Sequence, residues 1–219
     1  MRLSCLYRFL EIPSLYSLWQ HISTPGYGFF LKKELLPVFV DSQGLVLDVG
    51  CGPSLTTPHP RGTIIGVDIN HRYIEEYART QREPISRNMA QKPHEGKRLG
   101  TVGLAHALPF LNNTFDESRS VGLFHHLSRE QALGAVNEML RCTRLGGRVI
   151  IVDNVWPRYP LRRPIAWGTR RLDRGQWVRS EEQLLELIHS AYPYPWQQRR
   201  FTYTLTGLEA VVFTALKRG

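Results

Sequence analysis

The chain has 219 residues, with 28 Lys and Arg against 19 Asp and Glu, for a net charge of +9. That length suffices for one domain with a full core, and 42% hydrophobic with 21% charged residues excludes wholesale disorder. Cys5, Cys51 and Cys142 lie far apart and form no CxxC pair, which excludes a disulfide scaffold and a cysteine-based zinc site and fits a reducing, cytoplasmic location.

No run of apolar residues is long enough to span a bilayer, and Arg8, Glu11 and Pro13 interrupt the N-terminal apolar stretch before a signal-peptide core forms. Residues 3–22 carry Leu3, Leu6, Phe9, Leu10, Leu15, Leu18, Trp19 and Ile22 at helical spacing, broken at Pro13, and a second short helix is expected over 28–39. Leu45–Val49 and Thr63–Val67 are short β-branched runs of the kind buried on both faces of a parallel sheet. A helix over 72–80 follows, then a long polar loop over 81–99. Further strands are expected at 101–104, 120–124 and 148–152. Between the last two, Ser128 and Gln131 have capping-box spacing and open a helix to Thr143, which Gly146-Gly147 stops. Ser180 with Gln183 opens another helix through Ala191, and strands near 201–205 and 208–216, joined at Thr206-Gly207, close the chain as an antiparallel hairpin. The alternation predicts an α/β fold: a doubly wound, mostly parallel seven-stranded sheet, with ligands at the carboxyl ends of its strands. Residues 1–40 read as a helical cover and 41–219 as the domain proper.

Val46-Leu47-Asp48-Val49-Gly50-Cys51-Gly52 places two glycines directly after a buried strand, where they allow a tight turn and close approach of a ligand to free backbone N–H groups. Leu55 stands where a nicotinamide-binding fingerprint needs its third glycine, and a carboxylate at Asp48 would repel a diphosphate but favour an ammonium. Asp68 ends the next strand and can accept both hydroxyls of a ribose. Taken singly, the first motif is also compatible with an ordinary strand-to-helix turn and the second with a helix N-cap.

With VLDVGCGPS at 46–54, IIGVDIN at 64–70, GLAHALPFLNNTFD at 103–116, VGLFHHLS at 121–128 and EMLRCTRLGGRVIIVD at 138–153, the chain resembles the class I S-adenosylmethionine-dependent methyltransferases of the small-molecule, type 11 branch. The resemblance implies S-adenosyl-L-methionine as cofactor. Asp48, Gly50 and Gly52 would border its methionine part, Asp68 would hold its ribose, Ala105 and His106 would lie beside its adenine, and Cys51 and Ile69 would also belong to the cofactor-binding set. Phe124 and His125 would line the floor where the methyl group leaves. Three departures stand out. Leu104 replaces an aspartate that would accept from the adenine amine. Pro53, Pro58 and Pro60 leave room for only a very short helix, or none, after the glycine turn. Glu117-Ser118-Arg119 puts polar residues where the fourth strand is usually apolar, so that strand is expected to start late. These departures keep a second reading open, a catalytically degenerate methyltransferase-like binding protein.

Methyl transfer from a sulfonium needs alignment and exclusion of water, with a base only where the acceptor loses a proton. His125 and His126 are the candidates for that base; packing against the cofactor and capping the next helix are the alternative roles. A metal held by the pair is not expected, since adjacent side chains at a strand end point apart. Residues 154–179 carry seven arginines against Asp173, +6 of the total +9, interleaved with Trp156, Tyr159, Trp167 and Trp177. This segment reads as a lid presenting Arg162, Arg163 and Trp167, with Tyr27 from the N-terminal side, to a small anionic acceptor such as a metabolite, lipid or glycan precursor. A solvated basic face is the alternative; RNA is a weaker competitor, and a peripheral membrane contact through the N-terminal helix is a third option.

Overall fold

The computed structural model describes residues 27–53, 60–79, 96–171, 175–202 and 204–219, with only the backbone for 27, 28 and 30–32. The expected helix at 3–22, the connection at 54–59 where a helix is expected to be short or absent, and most of the polar loop (80–95) lie outside the described residues.

In chain order the elements are α1 (Tyr27–Phe39), β1 (Gln43–Val49), β2 (Arg61–Asp68), α2 (His71–Arg79), β3 (Arg98–Val102), β4 (Phe115–Val121), α3 (Arg129–Cys142), β5 (Thr143–Val155), α4 (Pro164–Arg171), α5 (Glu181–Ala191), β6 (Gln197–Thr202) and β7 (Glu209–Leu216). Single 3-10 turns occupy Phe124–His126 and Pro160–Arg162. The strands form one seven-stranded sheet in the order β3-β2-β1-β4-β5-β7-β6. β7 is inserted between β5 and β6 and runs antiparallel to both, while the other pairings are parallel. The C-terminal hairpin therefore brings the start of β7 to the carboxyl ends of the parallel strands, with Glu209 opposite Val155.

One face of the sheet is sealed by α3 and α5, whose Ala135, Val136, Met139, Leu184, Leu187 and Ile188 pack with Leu47, Val49, Val149, Ile151, Val211 and Phe213. On the other face Leu35 and Phe39 of α1 and Ala166 of α4 cover Ile150, Val152, Phe201, Ala210 and Val212. Both capping boxes are present: Ser128 accepts from Gln131 N and Ser180 from Gln183 N, and each Gln side chain closes back on the cap. Among the described residues no helix is long and apolar enough to cross a membrane.

Several strand boundaries differ from the expectation. β3 begins at Arg98, inside the expected loop, and ends at Val102. α3 ends at Cys142, and Gly146-Gly147 fall within β5 instead of stopping the helix, because Thr143 takes an extended conformation and its hydroxyl binds Met139 O and Ser118. The fourth strand does not start late. It begins at Phe115 and includes Glu117, Ser118 and Arg119, all buried. Glu117 accepts from Ser42 Oγ (2.9 Å) and Arg148 Nε (3.0 Å), Ser118 accepts from Thr143 Oγ1 (2.7 Å), and the Arg119 guanidinium lies 3.9 Å from Glu117 and 5.1 Å from the Phe39 ring.

Candidate cofactor and acceptor site

At the carboxyl end of β1 the chain turns through Gly50 (φ +69°) and Gly52 (φ +62°), left-handed conformations that only glycine adopts without strain. Gly50 N and Cys51 N both donate to Val67 O (2.7 and 3.1 Å), and Gly52 N donates to the Asp68 carboxylate (3.0 Å), so the ends of β1 and β2 form one unit. A Cβ on Gly50 would strike Leu123, whereas a Cβ on Gly52 would meet nothing within 4 Å among the described residues. The turn is thus closed below and open above. Asp68 also accepts from Asn70 N (2.9 Å). Burial raises its pKa above the usual carboxylate range against these backbone N–H groups, which pull it down. Beside it Ile69, Val102 and Leu104 are exposed at the ends of β2 and β3, forming an apolar shelf.

Three residues expected at the cofactor turn inward. Asp48 is buried and accepts from Tyr77 Oη (3.1 Å); burial raises its pKa, opposed first by the charge of Arg119. Cys51 packs against Gly66 and Tyr77, where burial, and then the charges of Asp48 and Asp68, push its thiol up. Phe124 is fully buried in the main core and leaves the floor of the site to its neighbours. The physical reason is packing: Asp48 and Cys51 lie against Tyr77 of α2, and Phe124 joins the main core.

The loop after β3 is pinned by α3. Leu108 N donates to Glu138 (2.7 Å), while Arg141 spans Glu138, Leu108 O (3.1 Å) and Phe110 O (2.8 Å). The Arg141 hydrogen bonds hold Glu138 below the usual carboxylate range against its burial. The half-buried His106 rests on α3 at Gly134, where a Cβ would sit 2.9 Å from His106 Cβ. Ala105 is also half-buried, and a bridge between Leu104 and Ala107 closes the turn around both.

The two candidate histidines are not splayed. Their ring centroids are 4.1 Å apart in the 3-10 turn after β4, because that turn replaces the strand alternation expected there. His125 is buried, with Nδ1 2.6 Å from Asp153 Oδ1 at the end of β5 and Nε2 3.5 Å from Asn154 Nδ2. A hydrogen on Nδ1 would be donated to the Asp153 carboxylate, the arrangement that leaves Nε2, facing Asn154, as the basic nitrogen. His126 is exposed. Among the described residues no group of three or more His, Cys, Asp or Glu side chains could hold a metal ion. Asp153 was legible as the first polar residue after an apolar strand, the position that singled out Asp68.

The basic segment folds over this end of the sheet and its charge is largely spent internally. Glu181 and Glu209, both buried, collect Arg158 (2.8 Å to Glu181), Arg163 (2.8 Å to Glu209) and Arg200 from β6 (2.8 Å to Glu181, with a second contact to Glu209). Arg163 also donates to Thr202 Oγ1 and Gly207 O (both 3.0 Å), so the guanidinium expected to face the acceptor is committed to β6, β7 and their turn. Arg170 is buried against Glu209 O. Arg179 clamps the histidine turn through Phe124 O (2.8 Å) and Leu127 O (2.9 Å), while Trp177 N binds His125 O and Gly175 packs on the His125 ring. Among the described residues of the segment, Arg162, over the Tyr159 ring, and Arg171, over Trp167, are exposed and stacked on aromatic rings, while Arg158 is exposed but paired with Glu181. The side chain of Tyr27 lies outside the described residues.

Residues 47–151 match the family described as a methyltransferase domain. An uncharacterized methyltransferase of Schizosaccharomyces pombe is 29% identical over 116 residues, covering 51% of this chain and 40% of that protein, so the chain spans well under half of its length. A SAM-dependent methyltransferase from Methanosarcina mazei superposes with a TM-score of 0.63 at 19% identity, over 84% of this chain and 96% of that one. Geranyl diphosphate C-methyltransferase from Streptomyces coelicolor, solved with S-adenosyl-L-homocysteine, gives 0.62 at 12%, over 84% and 77%.

Proposed function

We propose that this chain, whose residues 47–151 match a methyltransferase-domain family, is a class I S-adenosylmethionine-dependent methyltransferase that transfers a methyl group to a small anionic acceptor received at the carboxyl ends of β4 and β5. The observation that carries the cofactor reading is the cradle at Gly52: a left-handed glycine with open space above it and its N–H on the Asp68 carboxylate. A Cβ would fill this space, and the residues around it suit the cofactor. Asp68 would accept the ribose hydroxyls, Ile69 and Leu104 would lie against the adenine plane with Ala105 and His106, and the backbone of Gly50 and Gly52 would face the methionine part. Leu104 cannot accept from the adenine amine, so backbone groups of the pinned loop and His106 take over that edge.

S-adenosylmethionine, when bound, supplies a sulfonium-borne methyl group and a good leaving group, so the protein's tasks are alignment and exclusion of water. For an acceptor with a hydroxyl or amine, His125 receives the proton at Nε2, with Asp153 fixing the tautomer and stabilising the imidazolium that forms. Arg162, Arg171 and Trp167 are the groups of the basic segment left to meet an anionic, partly apolar acceptor. The geranyl diphosphate enzyme acts on an acceptor of that chemical character, which supports the reading by analogy of fold alone.

Calorimetric titration with S-adenosylmethionine tests the cofactor reading. Binding should be detectable and should weaken at least about tenfold in Asp68→Ala, which removes hydrogen bonds to a charged acceptor. An absence of heat at millimolar cofactor would leave a degenerate binding protein as the better description. A panel of phosphorylated and carboxylated small molecules with label-bearing cofactor then tests the acceptor class; turnover confined to neutral or cationic members would overturn it.

A further inference from the structure

We infer that the segment from Tyr159 to Arg171 docks this chain on an anionic lipid bilayer. The inner side of α4 is fixed in the fold: Ala166 and Arg170 are buried, the first among Phe39, Ile150 and Val152 and the second against Glu209 O. The outer side is apolar. Leu161 is 98% exposed and Ile165 65%, Pro164 between them is exposed, and a Cβ on Gly168 would meet nothing within 4 Å. Tyr159 and Trp167 flank this stripe at 56% and 37% exposure, each with an arginine over its ring, Arg162 at 5.5 Å and Arg171 at 5.2 Å.

From Asn154 to Arg171 the chain contains no carboxylate. The acids behind it, Glu181 and Glu209, are buried and already answered by Arg158, Arg163 and Arg200. The outward face therefore pairs two branched aliphatic side chains with amphipathic aromatics and cations. This is the composition of segments that lie in a membrane interface, with aliphatics below the headgroups and Trp, Tyr and Arg at their level. The net positive face selects anionic lipid. Docking uses Arg162, Arg171 and Trp167, the groups that the proposed function gives to the acceptor, and its consequence rests on that reading: the bilayer would sit beside Trp156 and Trp167 (ring centroids 6.4 Å apart) at the end of β5, so an acceptor could arrive from the lipid phase.

The test is co-sedimentation of the full chain with vesicles of phosphatidylcholine containing phosphatidylglycerol, and with vesicles of phosphatidylcholine alone. The chain should partition onto the anionic vesicles, and less so at raised salt. Leu161→Asp with Ile165→Asp should lower the partition coefficient by about tenfold or more, since burial of both side chains is lost. Arg162→Gln with Arg171→Gln should lower it by about fivefold per arginine. Arg144→Gln, at the opposite end of the sheet, should leave it unchanged, and thermal unfolding should show all variants folded. Equal partition onto neutral vesicles, no partition at all, or unaltered partition of the aspartate variant would overturn the proposal. So would a dimer in gel filtration that the aspartate pair dissociates, because a second copy would then cover the face. Cofactor affinity should be the same in all variants, so failure of the cofactor reading leaves the vesicle result standing.

Discussion

Glu209 opens β7 and holds the basic segment to the sheet, which makes its removal a direct measure of how much of that segment's charge is internal. Its carboxylate accepts from Arg158 N (3.0 Å) and Arg200 Nε (3.0 Å) and pairs with Arg163 (2.8 Å), with a side chain only 8% exposed. Glu209→Ala leaves two guanidinium groups facing a void. Breaking a buried ion pair from one side costs about 3–5 kcal/mol. Two features place this case near the lower bound: Arg163 is 33% exposed and can turn to water, and Arg200 keeps Glu181. A loss of about 3 kcal/mol is expected, a large share of the roughly 5–15 kcal/mol typical of a domain. Glu209→Gln keeps the shape and the acceptor oxygen and should cost about 1–2 kcal/mol, the difference between charged and neutral hydrogen bonds.

Urea denaturation of the full chain, followed by circular dichroism, measures both. Burial alone would push the Glu209 pKa up, but the Arg200 hydrogen bonds, the Arg158 N–H and the nearby charges hold it below the usual glutamate value. Its contribution is therefore complete above the unfolded-state pKa and disappears as pH falls through the lowered one. The gap between the native chain and Glu209→Gln should close over that acid range. A cost below about 1 kcal/mol for Glu209→Ala, the size of an ordinary surface substitution, would refute the internal-charge argument and restore a solvated basic face.

Three further outcomes are expected. On the best acceptor of the panel, His125→Gln should lower kcat by about 10²–10⁴ if the acceptor loses a proton, with cofactor affinity unchanged. Asp153→Asn should act in the same direction because an amide can turn the imidazole to the wrong tautomer; unchanged kcat in both would assign the pair to holding the turn alone. Burial raises the Asp68 pKa, and in the proposed cofactor site it is the ionised form that would accept the ribose hydroxyls. Cofactor affinity measured by calorimetry across pH should therefore begin to fall, as pH is lowered, above the usual aspartate range, and Asp68→Asn should remove that slope.

What the sequence made legible is what depends on near neighbours. β1, β2 and the two capped helices follow from β-branched runs and three-residue cap spacings, which are complete within a few positions. β4 was misplaced because its polarity is answered from afar: Ser42 lies 75 positions from Glu117 and Arg148 lies 31. The same limit applies at the site. The register of Asp68 after Gly52 is local and was readable, whereas His125 meets its orienting Asp153 across 28 positions. The inward turn of Asp48, Cys51 and Phe124 depends on Tyr77, Gly66 and the core behind β4, none of which a motif specifies.

The basic segment shows why a charge count alone misleads about a ligand. Its formal +6 suits a polyanion, and a nucleic-acid contact needs several cations free to replace the counterions of successive phosphates. In the folded chain Arg158 and Arg163 answer buried carboxylates, and Arg170 and Arg179 answer backbone carbonyls. Among the described arginines of the segment, Arg162 and Arg171 turn outward and are each stacked on a ring beside Leu161, Ile165 and Trp167. Two stacked guanidinium groups on an apolar stripe give little purchase on a phosphate chain, and they suit a ligand with one anionic end and an apolar body. Which charges the fold leaves uncommitted, and what lies next to them, is therefore a better guide to the ligand than the charge count, and among the described residues of this segment they favour the amphiphile proposed above.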